Sequence, residues 1–224
     1  MPRLIQTPVY KFEELAPKIQ EKVKERYLDF ERENWDVDNS GCKEHIYTAL
    51  KLFGFKNSNF RFSGFWSQGD GASFSGRWYP KTFDSAKIKE EFPSVEDYHA
   101  FADQLAEFTK TLPSNLEYIE ITANDRYCHE YTMEVGDALD ENDDSVYVGK
   151  QLLIDAVGKQ LWIDTDETKT FLELVRNIAR NFYKYLNDDY DWTTEDERFT
   201  SYLADSKETD EEIEYYADGR VYKE

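Results

Sequence analysis

The stretch FRFSGFWSQGDGASFSGRW, residues 60–78, places a small polar centre between two runs that are rich in aromatic residues. Its glycines let the backbone adopt positive φ angles and approach a ligand closely. Such a centre could bind a small molecule, because it offers a stacking ring, a hydroxyl, an amide and a carboxylate. It would equally suit a polar turn whose carboxylate caps backbone N–H groups. The residues concerned are Trp66, Ser67, Gln68 and Asp70.

The stretch RYCHEY, residues 126–131, contains the side chain best suited to proton transfer near neutral pH, His129. Read as a strand, it places Tyr127, His129 and Tyr131 on one face and the residues between them on the other. Cys128 would then point away from His129, which argues against a zinc site and against a Cys–His nucleophile pair. No metal site and no cofactor are predicted. A structural role for His129 is the alternative.

The motifs of serine hydrolases, zinc peptidases and phosphate-binding loops are missing from the sequence. An enzyme would therefore require Asp70 and His129 to meet in space, and the sequence favours a protein that is not an enzyme.

The elements that carry these residues follow from hydrophobic periodicity. Phe60, Phe62 and Trp66 alternate along one predicted strand, and Phe74 and Trp78 along the next. We expect an α+β fold with one antiparallel sheet built from two β-hairpins, packed against amphipathic helices. Helices are predicted over residues 15–33, 41–53, 85–91, 95–111, 166–186 and 195–204, and hairpins from 59–66 with 73–79 and from 116–123 with 126–135.

The expected sheet has an apolar face that needs a cover, and the helices 15–33 and 166–186 are predicted to provide it. The 224 residues of the chain are enough to form a single α+β domain over residues 1–224, with an acidic helix-and-tail region at 188–224.

Charge is the strongest compositional signal. The chain carries 27 Lys and Arg against 47 Asp and Glu, a formal net charge of −20. Residues 188–224 hold 14 acidic side chains and four basic ones. Such a surface repels nucleic acid and acidic lipid and attracts basic partners, or it only keeps the protein soluble. Candidate partner-binding residues are Asp188, Asp189, Asp191, Glu211 and Glu212.

Two cysteines are too few for a disulfide framework, and the sequence lacks an apolar run long enough for a membrane span. These features predict a cytoplasmic protein that does not bind membranes.

Five segments carry a resemblance to a known family: VYKFEELAPKIQEKVKERY at 9–27, FSGFWSQGDGASFSG at 62–76, RYCHEYTMEV at 126–135, FYKYLNDDYDWTTEDE at 182–197 and EYYADGRVY at 214–222. The chain resembles a family of mostly uncharacterised tailed-bacteriophage proteins, some of them labelled antitoxins of toxin–antitoxin systems. The resemblance implies a phage accessory protein in the cytoplasm of an infected bacterium.

We therefore expect a phage-encoded acidic interaction protein that neutralises a host factor, as an anti-defence inhibitor or an antitoxin-like protein. Its partner would be a basic host protein, with a nuclease or another DNA-binding defence protein as examples. The alternative is a small-molecule site, in a nucleotide-binding sponge or a hydrolase, built from residues 66–70 and the strand at 127–130.

Overall fold

The computed structural model describes residues 7–37, 40–112, 114, 116–124, 126–135, 150–154, 160–208 and 213–222. The chain forms two compact units. The first comprises Met1–Ser40 and Asp188–Glu224, and the second comprises Gly41–Asn187. A single domain over residues 1–224 stays a prediction.

The helices of the described residues are α1 (Pro17–Asn34), α2 (Cys42–Leu52), α3 (Ser85–Glu91), α4 (Glu96–Thr111), α5 (Thr165–Trp192) and α6 (Asp196–Glu208). The strands are β1 (Phe55–Phe62), β2 (Ala72–Trp78), β3 (Ile119–Ala123), β4 (Met133–Val135), β5 (Lys150–Ile154) and β6 (Gln160–Asp164). Strands β1 to β4 form one antiparallel sheet in the order β1-β2-β3-β4, and β5 pairs with β6. The predicted α+β fold, with two hairpins in one sheet, is confirmed.

The core of the second unit lies between this sheet and α5, as predicted for the helix at 166–186. Phe182 of α5 contacts Phe60 and Phe74, with ring centroids 6.0 and 6.3 Å apart. Trp78 is fully buried against Phe171, with ring centroids 4.9 Å apart. The aromatic alternation on β1 and β2 therefore forms the buried face of the sheet.

The first unit has its own core. Leu15, Val23 and Leu28 pack with Phe199 of α6 and with Tyr215. The helix predicted over 15–33 is expected to cover the sheet, but α1 belongs to this first unit. Val23 and Leu28 of α1 are buried in the cluster with Phe199 and Tyr215, which lie more than 160 positions away in the sequence, whereas Phe30 is exposed.

Two further expectations need correction. Residues 126–132 are not a strand: they form a loop that ends in a 3₁₀ turn at Glu130–Thr132, so the second strand of that hairpin is only Met133–Val135. Trp66 does not share the face of Phe60, because β1 ends at Phe62 and Trp66 lies exposed in the following loop.

Candidate functional site

The loop between β1 and β2, residues 63–71, is held by the side chain of Asp70. Its Oδ2 accepts hydrogen bonds from the backbone N–H groups of Trp66 at 2.9 Å and Ser67 at 2.6 Å. The Asp70 N–H in turn donates to the Ser67 carbonyl oxygen at 3.0 Å, and Gly69 adopts a φ of +102°. Asp70 is therefore a turn cap, one of the two roles expected from the sequence, while Ser67 and Gln68 are exposed.

The base of this loop is fixed to both the sheet and α5. The N–H groups of Ser63 and Gly71 donate to the Gly71 carbonyl oxygen and to Ser63 Oγ at 3.2 and 3.1 Å. The Phe65 ring packs between Phe62 and Tyr183 of α5, with centroid distances of 4.8 and 5.6 Å. The loop is thus closed at its base, braced by an aromatic cluster and capped at its tip.

Residues 126–132 are anchored by an inward-pointing carboxylate. Glu130 is buried, and its two oxygens lie 3.0 Å from His129 Nδ1 and 2.9 Å from Arg180 Nε of α5. Arg180 also binds Glu173 at 2.9 Å, and hydrogen bonds with Glu173 and Glu130 raise the pKa of its guanidinium. Thr132 closes the turn, since its Oγ1 donates to the His129 carbonyl oxygen at 2.7 Å. This contact with α5 explains why the segment leaves the strand geometry.

The two loops meet. A Cβ on Gly71 would lie 3.0 Å from His129 Cδ2 and 3.1 Å from the Cys128 carbonyl oxygen, so a larger residue would push the two segments apart by a few tenths of an ångström. Burial, with the nearby charges of Asp70 and Glu130, raises the pKa of the Tyr183 phenol. The structure therefore brings together the two segments that sequence analysis singled out separately.

Both of these loops carry exposed aromatic rings. Trp66, Tyr127 and Tyr131 are 77%, 55% and 66% exposed. Tyr131 stacks on His129, with centroids 4.9 Å apart and an interplanar angle of 13°. We call this region the aromatic surface; it consists of Trp66, Tyr127, His129 and Tyr131 together with three guanidinium groups that lie over its rings, those of Arg126, Arg176 and Arg180.

The residues of α5 that support the aromatic surface are not among the predicted site residues. Arg176 donates to the carbonyl oxygens of Tyr131 at 3.3 Å and Met133 at 2.9 Å. A usable signal was present, because Glu173, Arg176 and Arg180 recur at helical spacing on one face of the predicted helix. That spacing shows a shared face but does not identify its contacts.

The chemistry available here is limited. A histidine beside a buried carboxylate can accept a proton, but His129 is covered by Tyr131 on one face and approached by Gly71. Three described cavities, of about 700, 280 and 200 Å³, are lined by other residues. Among the described residues, His, Cys, Asp and Glu form no group of three that could hold a metal ion.

The candidate acidic residues lie in the first unit. Asp188 and Asp191 are exposed, whereas Asp189 is half-buried and its Oδ2 accepts a hydrogen bond from Trp35 Nε1 at 2.7 Å. Asp189 also lines the cavity of about 280 Å³. Glu211 and Glu212 lie outside the described residues.

Within the part of the chain that the structure describes, none of the helices combines the length and apolar composition that a membrane crossing requires.

The profile of a domain of unknown function, DUF8835, matches residues 40–196, and the chain belongs to this family. The matched segment contains the entire second unit, including the aromatic surface. Searches of curated proteins and of solved structures find no significant match to the chain.

Proposed function

We propose that this member of the DUF8835 family acts by binding another protein through its aromatic surface. The observation that carries the proposal is Trp66, whose ring is largely exposed on a loop that Asp70 holds in one conformation. A large apolar ring in solvent contributes little to folding. In an interface it would be buried.

The composition of the surface supports a protein partner. Trp, Tyr and Arg are the residues that most often dominate binding energy in protein interfaces, where they form a central buried cluster. All three types occur here, with Trp66 and Tyr131 as the most exposed rings. Because both loops are already fixed by hydrogen bonds, binding would cost less conformational entropy than ordering a mobile loop.

The charge supports a basic partner. A net charge of −20 attracts basic proteins over distances that exceed direct contact and raises their association rate. Exposed carboxylates such as Asp188 and Asp191 contribute to this field, while the aromatic surface would provide the contact energy. The sequence resemblance favours a host protein bound by a phage-encoded inhibitor, such as a nuclease or another DNA-binding defence protein.

A second candidate function, a small-molecule site or hydrolase, is favoured by one observation. The buried Glu130 carboxylate lies 3.0 Å from His129 Nδ1, an arrangement that orients an imidazole as a general base when Nδ1 carries the proton. The Tyr131 N–H, 3.3 Å from the same nitrogen, competes with this arrangement, because it needs Nδ1 as its acceptor. This second candidate function predicts that His129→Gln abolishes turnover of a nucleotide or ester substrate while the fold is kept. The His129 ring is stacked on Tyr131 and only 25% exposed, which makes this the weaker candidate.

The test of the proposed function is affinity capture from bacterial lysate with three versions of the chain: the natural protein, Trp66→Ser and Phe30→Ser. Phe30 is a matched control, since it is an exposed aromatic residue of the first unit. We expect a basic protein that binds the natural chain and Phe30→Ser, and whose dissociation constant for Trp66→Ser is at least about 30-fold higher, as for a hot-spot residue.

The dependence of the binding rates on salt distinguishes electrostatic steering from direct contact. The association rate should fall as ionic strength rises, because exposed charges are screened beyond about 8–10 Å at 0.1–0.15 M salt. The dissociation rate should change mainly in Trp66→Ser. Equal binding by the natural chain and Trp66→Ser would overturn the proposal.

A further inference from the structure

The first unit carries a second apolar surface, separate from the aromatic surface. A cavity of about 200 Å³ opens beside α1, and the stacked rings of Tyr27 and Tyr202, 4.2 Å apart, form part of its lining. Val23 and Phe199 add further apolar lining. Metabolite sites usually measure about 300–1,000 Å³, so this cavity is better suited to one inserted side chain.

The lining of the same cavity includes one aromatic side chain that is largely exposed. Phe30 is 60% exposed, and Val221 beside it is 46% exposed. Phe30 points from α1, the helix that also provides Val23 and Tyr27 to the lining. A protruding aromatic ring and a cavity for an aromatic ring therefore occupy one face.

A surface with a knob and a hole on the same face is self-complementary, which is the requirement for a two-fold interface. We propose that two copies of this chain associate about a two-fold axis, with Phe30 of each copy in the cavity of the other. This inference is independent of the proposed function, since it concerns residues of the first unit only.

The charge along α1 fits this pairing. Residues 17–26 carry four basic and two acidic side chains, whereas residues 27–34 carry three acidic and one basic. Lys24 pairs with Asp196 and Glu31 with Arg198 within the chain, so the charges offered to a second copy include those of Lys18, Lys22 and Glu33. Two copies of α1 that cross antiparallel at a two-fold axis would place the basic half of each beside the acidic half of the other. Complementary charges of this kind fix the register of an interface.

The net charge of the chain limits the affinity of this dimer. Each copy carries −20 in total, so the two copies repel each other at long range. An interface built on one inserted ring and one helix face is also small. We therefore expect a reversible dimer with a micromolar dissociation constant rather than a permanent one.

The test is sedimentation velocity of the full chain from about 1 to about 500 μM, the range in which weak interfaces dissociate. The natural protein should convert from monomer to dimer across this range. Phe30→Glu should stay monomeric throughout. Trp66→Glu is the matched control, because it puts the same charge in place of another exposed aromatic residue in the second unit, and it should dimerise as the natural chain does.

Circular dichroism checks that both variants keep the fold, as expected for exposed positions. A natural chain that is monomeric at all concentrations overturns the inference, and so does a Phe30→Glu variant that still dimerises. Loss of the dimer in Trp66→Glu would overturn it as well, because the interface would then involve the second unit. A charge variant adds a further check: Lys22→Glu should weaken the dimer more than Lys51→Glu, which changes the net charge equally from the second unit.

Discussion

Replacing Asp70 by alanine tests whether its carboxylate fixes the loop that presents Trp66. The change removes two hydrogen bonds, from the Trp66 and Ser67 N–H groups at 2.9 and 2.6 Å. The geometry resembles a helix N-cap, where loss of the acceptor costs about 0.5–2 kcal/mol. Because both bonds share one charged oxygen and the loop is partly exposed to water, we expect a cost of about 1–2 kcal/mol.

Native-state hydrogen exchange measures this cost locally. A decrease of 1–2 kcal/mol in opening free energy accelerates exchange by roughly 5- to 30-fold. We expect that acceleration at the amides of Trp66 and Ser67 in Asp70→Ala, and a smaller one in Asp70→Asn, which keeps an acceptor. Amides of the sheet, such as that of Phe74, should change little.

A matched control separates a local effect from a general loss of stability. Asp84 caps α3 by accepting from the Ala86 N–H at 3.1 Å, so Asp84→Ala removes a similar bond elsewhere in the same unit. It should leave exchange at Trp66 and Ser67 unchanged. If Asp70→Ala also left these amides unchanged, the idea of a fixed loop would be refuted.

Three further predictions concern the second unit. Trp78→Ala should lower the free energy of unfolding by about 3–5 kcal/mol in denaturant titrations. The reason is that the ring is fully buried and its Nε1 donates to the Phe53 carbonyl oxygen at 2.8 Å. A loss below about 1 kcal/mol would contradict the place of Trp78 in the core. Gly71→Ala should cost about 1–3 kcal/mol by forcing the two loops apart, and unchanged stability would mean that they do not touch. Burial lowers the pKa of His45, which lies 3.0 Å from the Tyr98 hydroxyl, so protonation of this side chain favours the unfolded chain. As the pH falls below about 6.5, the natural protein should therefore lose stability relative to His45→Phe. Parallel curves of unfolding free energy against pH for the two proteins would contradict this.

Where local sequence decides the structure, the elements could be predicted closely. α3 spans Ser85–Glu91 as expected, since Asp84 caps its first turn. α1 starts at Pro17, where a missing N–H costs little. The alternating aromatic residues of β1 and β2 likewise predict which face of the sheet is buried.

Predictions from local sequence fail where contacts between residues far apart in the chain determine the structure. Residues 126–131 have the composition of a strand, but Glu130 is drawn to Arg180, 50 positions away. A period-2 pattern cannot show that competition. In the same way, the stripe on α1 predicts that one face is buried without showing that Phe199 and Tyr215 cover it.

The sequence predicts individual residues of the candidate site but not their arrangement in space. Trp66, Asp70 and His129 were singled out from their types alone, and the role of Asp70 as a turn cap was one of two interpretations. The approach of the loop 63–71 to the His129 segment depends on Gly71, a contact between residues almost 60 positions apart. Single-sequence patterns carry no information about such a contact.

The most direct test of binding through the aromatic surface is photo-crosslinking in bacterial cells. A photoreactive phenylalanine analogue is placed at position 67, next to Trp66 on the same loop, and in a separate protein at position 87. Ser67 and Lys87 are both exposed in the second unit. Binding through the aromatic surface predicts one discrete cross-linked product, containing a basic protein, from position 67 and none from position 87. A position 67 that yields no product, or the same products as position 87, would contradict it.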